Sequence, residues 1–319
     1  MRQVLDFVRN DMNVQNRNAE PNGALVINKH KGVTSHDIVN KVRRLYKTKR
    51  VGHTGTLDPM ATGGVVVLVG RAAKAAEYLV SDKKRYRAVM RLGMSTDSED
   101  ITGNLLTETN DLPCKDDVLR ACQGFVGNIS QVPPMYSALK VKGQKLVDLA
   151  RKGITVERQA REVTVFSLTC TPTEHARDYI LDVECSSGTY IRTLCADIGA
   201  SLGCGAVMAE LERTETGGFS IEKSHTLEAL QEKDTQALHE ILIPTESLFE
   251  TLPTVQLPSF YERLFRSGCE IYQKKIGTSL SENTRVRICK EDGSFFALGE
   301  VREYEEGSAI KSIKFFELD

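Results

Sequence analysis

One carboxylate, Asp58, stands in the segment GHTGTLDPMATG (residues 52–63), among glycines, threonines and a proline. Glycine and proline at this density disfavour a helix or a central strand, so Asp58 belongs on a loop. Pro59 restricts the residue before it to extended backbone, which aims the Asp58 side chain in a set direction. The glycines let the loop pass close to a ligand. A carboxylate held this way serves as a nucleophile or a base acting alone; the plainer alternative is a turn-capping aspartate. One other segment, SSGTYIRT (residues 186–193), combines glycine, hydroxyl, aromatic and charge. Read as a strand, it turns Tyr190 and Arg192 to the same side. Facing a cleft, Arg192 would pair with a carboxylate; facing outward, it is an ordinary surface charge. Tyr86, in KKRYRA, is an aromatic amid positive charge, and its alternative is plain strand packing.

These residues need elements to hold them. GALVINKHKG (residues 23–32) begins as a strand and ends in a turn. TSHDIVNKVRRLYKTK (34–49) reads as a helix capped by Thr34 or Ser35, with Ile38, Val42 and Leu45 on one face. GGVVVLVG (63–70) is a fully apolar strand, and residues 72–79 form a short helix. RYRAVMRLGMSTD (85–97) alternates like a strand with one wet face. Helices are expected over 116–127, from an acidic cap, and over 144–153, ending at glycine. REVTVFSLTCTPT (161–173) and residues 177–194 read as two antiparallel strands, the second running into a helix over 191–203. A polar helix is expected over 229–244, ending at Pro244. The order lacks a regular βαβ repeat, and no GxGxxG or GxxxxGK loop follows a strand. The fold class is therefore α+β, an antiparallel or mixed sheet with helices on its faces.

Three regions emerge. Residues 1–22 are polar and Asn-rich, and read as a disordered extension. Residues 23–245 form the main domain. Beyond Pro244, Pro253 and Pro258 the grain changes to short β patterns with a hairpin signal at Asp292–Gly293. Residues 250–319 thus read as a small β-barrel-like module that must lean on the first domain.

The formal net charge of the 319-residue chain is -1, which argues against nucleic-acid binding by bulk charge alone. Local charge says more. Asn28 to Arg50 hold eight lysines and arginines against one acid, Asp37. KKRYRAVMR (83–91) holds five and no acid, and Lys140 to Arg161 hold seven against two. Gathered on one face, such residues would meet backbone phosphates; scattered, they are solvated surface. The eight cysteines form no CxxC pair and no zinc spacing with histidine, and read as free thiols in a reducing compartment. No run reaches the roughly 18 apolar residues of a membrane helix, so a soluble cytoplasmic protein is expected.

GHTGTLDPMATG resembles the catalytic motif of the bacterial tRNA pseudouridine-55 synthases, and RY and GTYIRTL resemble its companion motifs. MYSALKVKGQKLVDLARKG (135–153) and GCGAVMAELERTETGGF (203–219) resemble two further family signatures, in the same order. The likeness runs from about residue 23 to 230, and the tail is similar to the family's C-terminal RNA-binding domain of the pseudouridine-synthase-and-archaeosine-transglycosylase type. The resemblance implies the pseudouridine-synthase fold and isomerisation of one uridine in the TΨC arm of tRNA, with no cofactor and no metal. It implies Asp58 as catalytic aspartate, Arg192 as its partner and Tyr86 stacking on the uracil. Tyr190 and Leu211 would line the base pocket, His53 would lie against the RNA, and Lys29 would sit near the site. The basic runs supply Arg43, Arg44, Lys83, Lys84 and Arg85 as expected phosphate contacts. The family's first motif has Lys-Pro-Gly where this chain has NKHKG, with His30 in place of proline; that departure bears on the first turn. A monomer without a stable protein partner or membrane contact is expected. Two rivals stay open at this point: an isomerase of the same fold acting on another RNA, and an RNA-binding module with little catalysis.

Overall fold

The computed structural model describes residues 20–79, 83–141 and 143–317. The elements run β1 (Gly23–Lys29), α1 (Ser35–Leu45), β2 (Val51–His53), β3 (Thr62–Val69), β4 (Lys83–Leu92), β5 (Met94–Thr96), β6 (Leu105–Glu108), α2 (Lys115–Gln123) and β7 (Gly127–Gln131). A small hairpin, β8 (Lys140–Val141) and β9 (Gln144–Lys145), leads into α3 (Leu146–Ala150). Then come β10 (Arg161–Pro172), β11 (Asp178–Ser186), α4 (Ile191–Ser201), β12 (Ala206–Thr216), β13 (Phe219–Ser220), α5 (Leu227–Gln231) and α6 (Thr235–Glu240). The last part holds β14 (Thr254–Gln256), α7 (Ser259–Arg266), β15 (Ile271–Tyr272), α8 (Gln273–Ile276), β16 (Arg285–Cys289), β17 (Phe295–Tyr304) and β18 (Gly307–Phe315).

A nine-stranded sheet runs β1-β3-β12-β4-β11-β10-β7, with β2 on β3 and β13 on β12. All of its ladders are antiparallel except the short contact of β12 with β3, where Glu212 and Arg213 lie beside Thr62 and Gly63. The fold is thus α+β, as the mixed strand and helix order predicts. One face of the sheet packs on α1, α2, α4 and α5 around Ile27, Ile38, Val67, Met90, Leu181 and Leu194. The other face divides in two. Over β1 and β3 it is apolar, and Val26, Val66 and Leu68 pack against Phe249, Leu298 and Phe316. This double cover explains why β3 reads as an unbroken apolar run. Over β4 and β11 the same face is charged: Arg85 stands opposite Glu184, Arg87 opposite Asp182 and Arg91 opposite Asp178.

The second sheet, β14-β16-β17-β18-β15, curls into a half-barrel around Phe265, Phe296 and Ile310. It rests on the 3-10 helix Gly70–Ala75 and the residues after it. Lys74 Nζ donates to the Phe315 carbonyl at 3.1 Å, Arg71 Nη1 to that of Phe316 at 3.3 Å, and Tyr78 OH to that of Ile313 at 3.3 Å.

Several sequence expectations change. Thr34 does cap α1, in a reciprocal box with Asp37. The helix expected over 72–79 is the six-residue 3-10 turn, and the N-cap position of α2 is Cys114, whose side chain makes no capping bond, with the acids Asp116 and Asp117 in the first turn. The helix over 144–153 loses its first two residues to β9. The helix over 229–244 is two short helices, because the Asp234 carboxylate accepts from the Ala237 amide and starts α6 afresh. Of the extension expected to be disordered, residues 1–19 lie outside the described residues. Residues 20 and 22 are tied down: Glu20 pairs with Arg50 and the Asn22 side chain accepts from the Ala72 amide.

Candidate active site

Asp58 lies on the loop between β2 and β3, and the fold secures that loop from three sides. The Ser35 hydroxyl bonds the Leu57 amide at 2.9 Å. Lys29 Nζ donates to the Pro59 carbonyl at 3.2 Å, and also to those of Val33 and His30 at 2.9 and 3.1 Å. Arg213 bonds the carbonyls of Gly55, Thr56 and Gly64 at 3.2, 3.2 and 2.8 Å. Gly63 is obligatory at the loop's exit: its φ is 108°, and a Cβ there would stand 2.4 Å from the Arg213 carbonyl oxygen.

Arg192 Nε stands 2.9 Å from Asp58 Oδ2. The Arg192 side chain is only 4% exposed while that of Asp58 is 35% exposed. The cation is therefore the wall and the carboxylate the accessible group. Arg192 is fixed elsewhere too, donating to the Ser98 carbonyl at 3.0 Å and that of Tyr136 at 2.8 Å, with Asp100 Oδ2 at 3.9 Å. A buried guanidinium with its donors engaged has little freedom to rotate. The expectation that Tyr190 and Arg192 share a strand is corrected. β11 ends at Ser186, Tyr190 is the N-cap of α4, and Arg192 lies in the first turn of that helix. The strand signal ran on because Thr189–Ile191 are β-prone, while Gly188, at φ 91°, breaks the chain's direction.

A cavity of about 950 Å³ opens over this pair, lined among others by Asp58, Tyr86, Tyr190, Arg192 and Leu211. Tyr86 and Leu211 are nearly buried, on neighbouring strands β4 and β12. Burial raises the phenol pKa of both Tyr86 and Tyr190 above the ordinary value, so both rings are neutral donors near pH 7. The Tyr190 backbone is clamped by the buried Gln131 side chain, which accepts from its amide at 3.0 Å and donates to its carbonyl at 3.3 Å.

The remaining expected residues divide. Lys84 lines the cavity and donates to Ser187 Oγ at 3.3 Å. Lys83 and Arg85 do not share its face, because side chains alternate along β4. Lys83 lies 3.1 Å from Glu184 and over the Phe166 ring, and Arg85 pairs with Glu184 and Glu215. Both therefore stand on the sheet face away from the cavity, each ion-paired across the strands. Arg44 is exposed on α1, but Arg43 is half-buried and donates to Asn40 and to the Val51 carbonyl. Lys29 is fully buried with its ammonium spent on three carbonyls, so it shapes the loop instead of meeting a ligand. Its burial lowers its pKa to about 8. His53, on β2, is absent from the cavity lining, and burial lowers its pKa, favouring the neutral ring. The sequence reading passed over Arg213, Gln131 and Asp100. It also left Lys31, Lys145 and Arg151 unassigned, all lining the cavity. Among the described residues no group of three His, Cys, Asp or Glu side chains is arranged to hold a metal ion. No described helix is long and apolar enough to cross a membrane.

The arrangement offers a cavity walled by two tyrosines and a leucine, lined by the carboxylates of Asp58, Asp97 and Asp100, of which Asp58 is the one paired with the buried Arg192 Nε at 2.9 Å, and by the cations Lys31, Lys84, Lys145 and Arg151. Comparisons with known proteins agree with that chemistry. Residues 43–191 match the model of the TruB family pseudouridylate synthase N-terminal domain, and residues 192–250 that of the tRNA pseudouridylate synthase B C-terminal domain. The chain is 41% identical over 294 residues to tRNA pseudouridine synthase B of Clostridium perfringens (strain 13), covering 92% of this chain and 98% of that one. It is 39% identical over 282 residues to the protein of the same name from Neisseria meningitidis serogroup A, covering 88% and 91%. Among solved structures, a chain of a Cbf5-Nop10-Gar1 complex superposes with a TM-score of 0.70 at 26% identity, covering 92% of this chain and 85% of that one.

Proposed function

This chain belongs to the TruB family of pseudouridylate synthases, and we propose that Asp58 is the catalytic carboxylate through which it acts. The chain is an RNA-binding isomerase that converts the uridine at position 55, in the TΨC arm of tRNA, to pseudouridine. The observation that carries the assignment of Asp58 is its ion pair: a fixed, buried guanidinium 2.9 Å from a carboxylate that remains open to the cavity. A pure RNA-binding module has no use for a negative charge at the floor of a basic cleft.

The reaction breaks the C1′–N1 bond, joins C1′ to C5, releases the proton of C5 and leaves one on N1, with no net oxidation. The uridine must leave its stack before the glycosidic bond can be reached, at a cost of a few kcal/mol. Tyr86 offers the extruded base an aromatic face, and Leu211 and Tyr190 close the slot. Asp58 then either attacks C1′ or C6, or removes the proton at C2′. Each route needs one carboxylate within reach of the bond and a partner that holds it there. Arg192 is that partner. Lys31, Lys84, Lys145 and Arg151 hold the phosphates of the splayed loop. The T arm is the recognised element, and the protein works as a monomer in the cytoplasm.

The test maps pseudouridine at single-base resolution in a T-arm stem-loop. Wild type modifies one uridine. Asp58→Asn, an isosteric change, binds the RNA within about twofold and loses turnover by at least about 1000-fold. Near wild-type turnover by Asp58→Asn would sink the assignment.

A further inference from the structure

Arg213 is among the largest fully buried side chains of the molecule, at 1% exposure. Among the described residues no carboxylate lies within ion-pair distance of it. Its guanidinium instead serves backbone: Nε donates to the Gly64 carbonyl, Nη1 to that of Thr56 and Nη2 to that of Gly55. Those carbonyls lie at the two ends of the loop that carries Asp58. The backbone of Arg213 acts at the same place. Its Cα stands beside Gly63 on β3 and beside Tyr86 on β4. A Cβ on Gly63 would meet the nitrogen, carbon and oxygen of Arg213 at 2.5, 2.9 and 2.4 Å. The guanidinium also bears on the Tyr86 phenol. Directly after Arg213 the pairing of β12 with β4 slips by one residue. A bulge there re-aims side chains around a site.

We propose that Arg213 is the positioning residue that holds the Asp58 loop and the Tyr86 ring in register with each other. The proposal rests on the reading of Asp58 as the catalytic carboxylate. Arg192 touches the carboxylate itself; Arg213 reaches it through the chain that carries it. Between them, one arginine fixes where the carboxylate points and the other fixes how far it stands from the aromatic face that receives the base. Three carbonyls in three directions need the planar fork of a guanidinium, which an ammonium on a flexible stem does not reproduce. Misplacement of reacting groups by about 1 Å costs about 100-fold in rate.

Single-turnover rates, RNA affinity and melting temperature of Arg213→Lys and Arg213→Gln, on the T-arm stem-loop at saturating protein, test this. Arg213→Lys keeps the buried charge. It is expected to stay folded, to bind RNA within about twofold of wild type and to lose about 100-fold in rate. In the double variant with Tyr86→Phe the two losses do not multiply, because the Tyr86 phenol feels the Arg213 guanidinium and the two residues are neighbours across β4 and β12, so the changes act on one coupled pair. A scaffolding role would move the melting temperature and leave the rate of folded protein alone. If Arg213→Gln fails to fold, the lysine variant decides. A rate within about threefold of wild type, a loss confined to affinity, or losses that multiply in full would overturn the proposal. Asp58→Asn runs alongside. An inactive Asp58→Asn with a fast Arg213→Lys overturns this inference only. An active Asp58→Asn overturns the catalytic assignment, and this inference with it.

Discussion

Two arginine–aspartate pairs stand on different faces of the large sheet, and they are built in opposite senses. In the first, Arg192 is 4% exposed and Asp58 35% exposed. In the second, Arg91 is 36% exposed and Asp178 8% exposed. Arg91 binds Asp178 through two hydrogen bonds, Nε to Oδ1 at 2.8 Å and Nη2 to Oδ2 at 2.7 Å, so both carboxylate oxygens are taken. Arg192 gives Asp58 one nitrogen and spends the rest of its fork on the carbonyls of Ser98 and Tyr136. Among the described residues no bond engages Asp58 Oδ1. The pair on the outer face is saturated and ties two neighbouring interior strands, β4 and β11, together. The pair under the cavity leaves half of a carboxylate free for chemistry. Pairing alone does not mark a site; what matters is which partner is buried and which oxygen is left over.

The sharpest way to break this comparison is to make the same substitution in both pairs. Arg192→Lys keeps a charge near Asp58 but cannot also reach two carbonyls, so turnover falls about 100-fold with little change in RNA affinity. Arg91→Lys loses the two-pronged bond and costs about 1–2 kcal/mol of stability at most, with turnover unchanged. Urea unfolding and single-turnover rates of the two variants separate them. Equal turnover losses, or none in Arg192→Lys, would show that the two pairs do not differ as described.

What the sequence could reveal follows the range of the interactions. The Asp58 loop was legible because glycine, proline and aspartate act on their own neighbours. The Thr34 cap and the alternation of β4 are local for the same reason. The acids that neutralise β4 are not: Glu184 lies 99 positions from Arg85 in sequence, so a basic run read alone overstates the charge of the folded strand. Arg213 reaches Thr56 across 157 positions, and nothing near either residue signals the contact. The start of α4 was half legible. Its helical part was placed, but the break at Gly188 was not, and Tyr190 and Arg192 were put on a strand. Asp234 is a missed local signal, a capping residue before Thr235 inside a pattern read as one helix.

A smaller effect contrasts buried Lys29 with the surface cations. Desolvation by burial, with Arg213 adding to it and Asp58 opposing, brings the Lys29 pKa down to about 8. Free lysine titrates near 10.4. Below about pH 8 both folded and unfolded chains hold this proton, and the group adds no pH dependence. Between about 8 and 10.4 the unfolded chain binds more protons, so stability rises with pH by up to about 1.4 kcal/mol per unit. Urea unfolding of wild type and Lys29→Met at pH 7.5, 8.5 and 9.5 reads the difference. The wild type gains on the variant as pH rises. Parallel curves would mean that Lys29 keeps its ordinary pKa in the fold.

The smallest effect concerns two adjacent cations on β4. Lys84 faces the cavity and donates to the Ser187 hydroxyl at 3.3 Å. Arg85 faces the other way, between Glu184 and Glu215. If the RNA lies over the cavity, only Lys84 meets a phosphate. Each phosphate contact contributes about 0.7–0.9 to the slope of log affinity against log salt. Lys84→Ala should therefore flatten the slope by about that much and weaken binding of different tRNAs alike. Across a fourfold rise in salt the wild type then loses about threefold more affinity than the variant. Arg85→Ala should leave the slope unchanged, since its charge is already neutralised across the strands, and should cost less than about 1 kcal/mol of stability. Filter binding of both variants over 50 to 200 mM salt, about the range where such slopes are linear, gives the answer. A flatter slope in Arg85→Ala with none in Lys84→Ala would place the RNA on the charged outer face, and would move the functional surface away from Asp58.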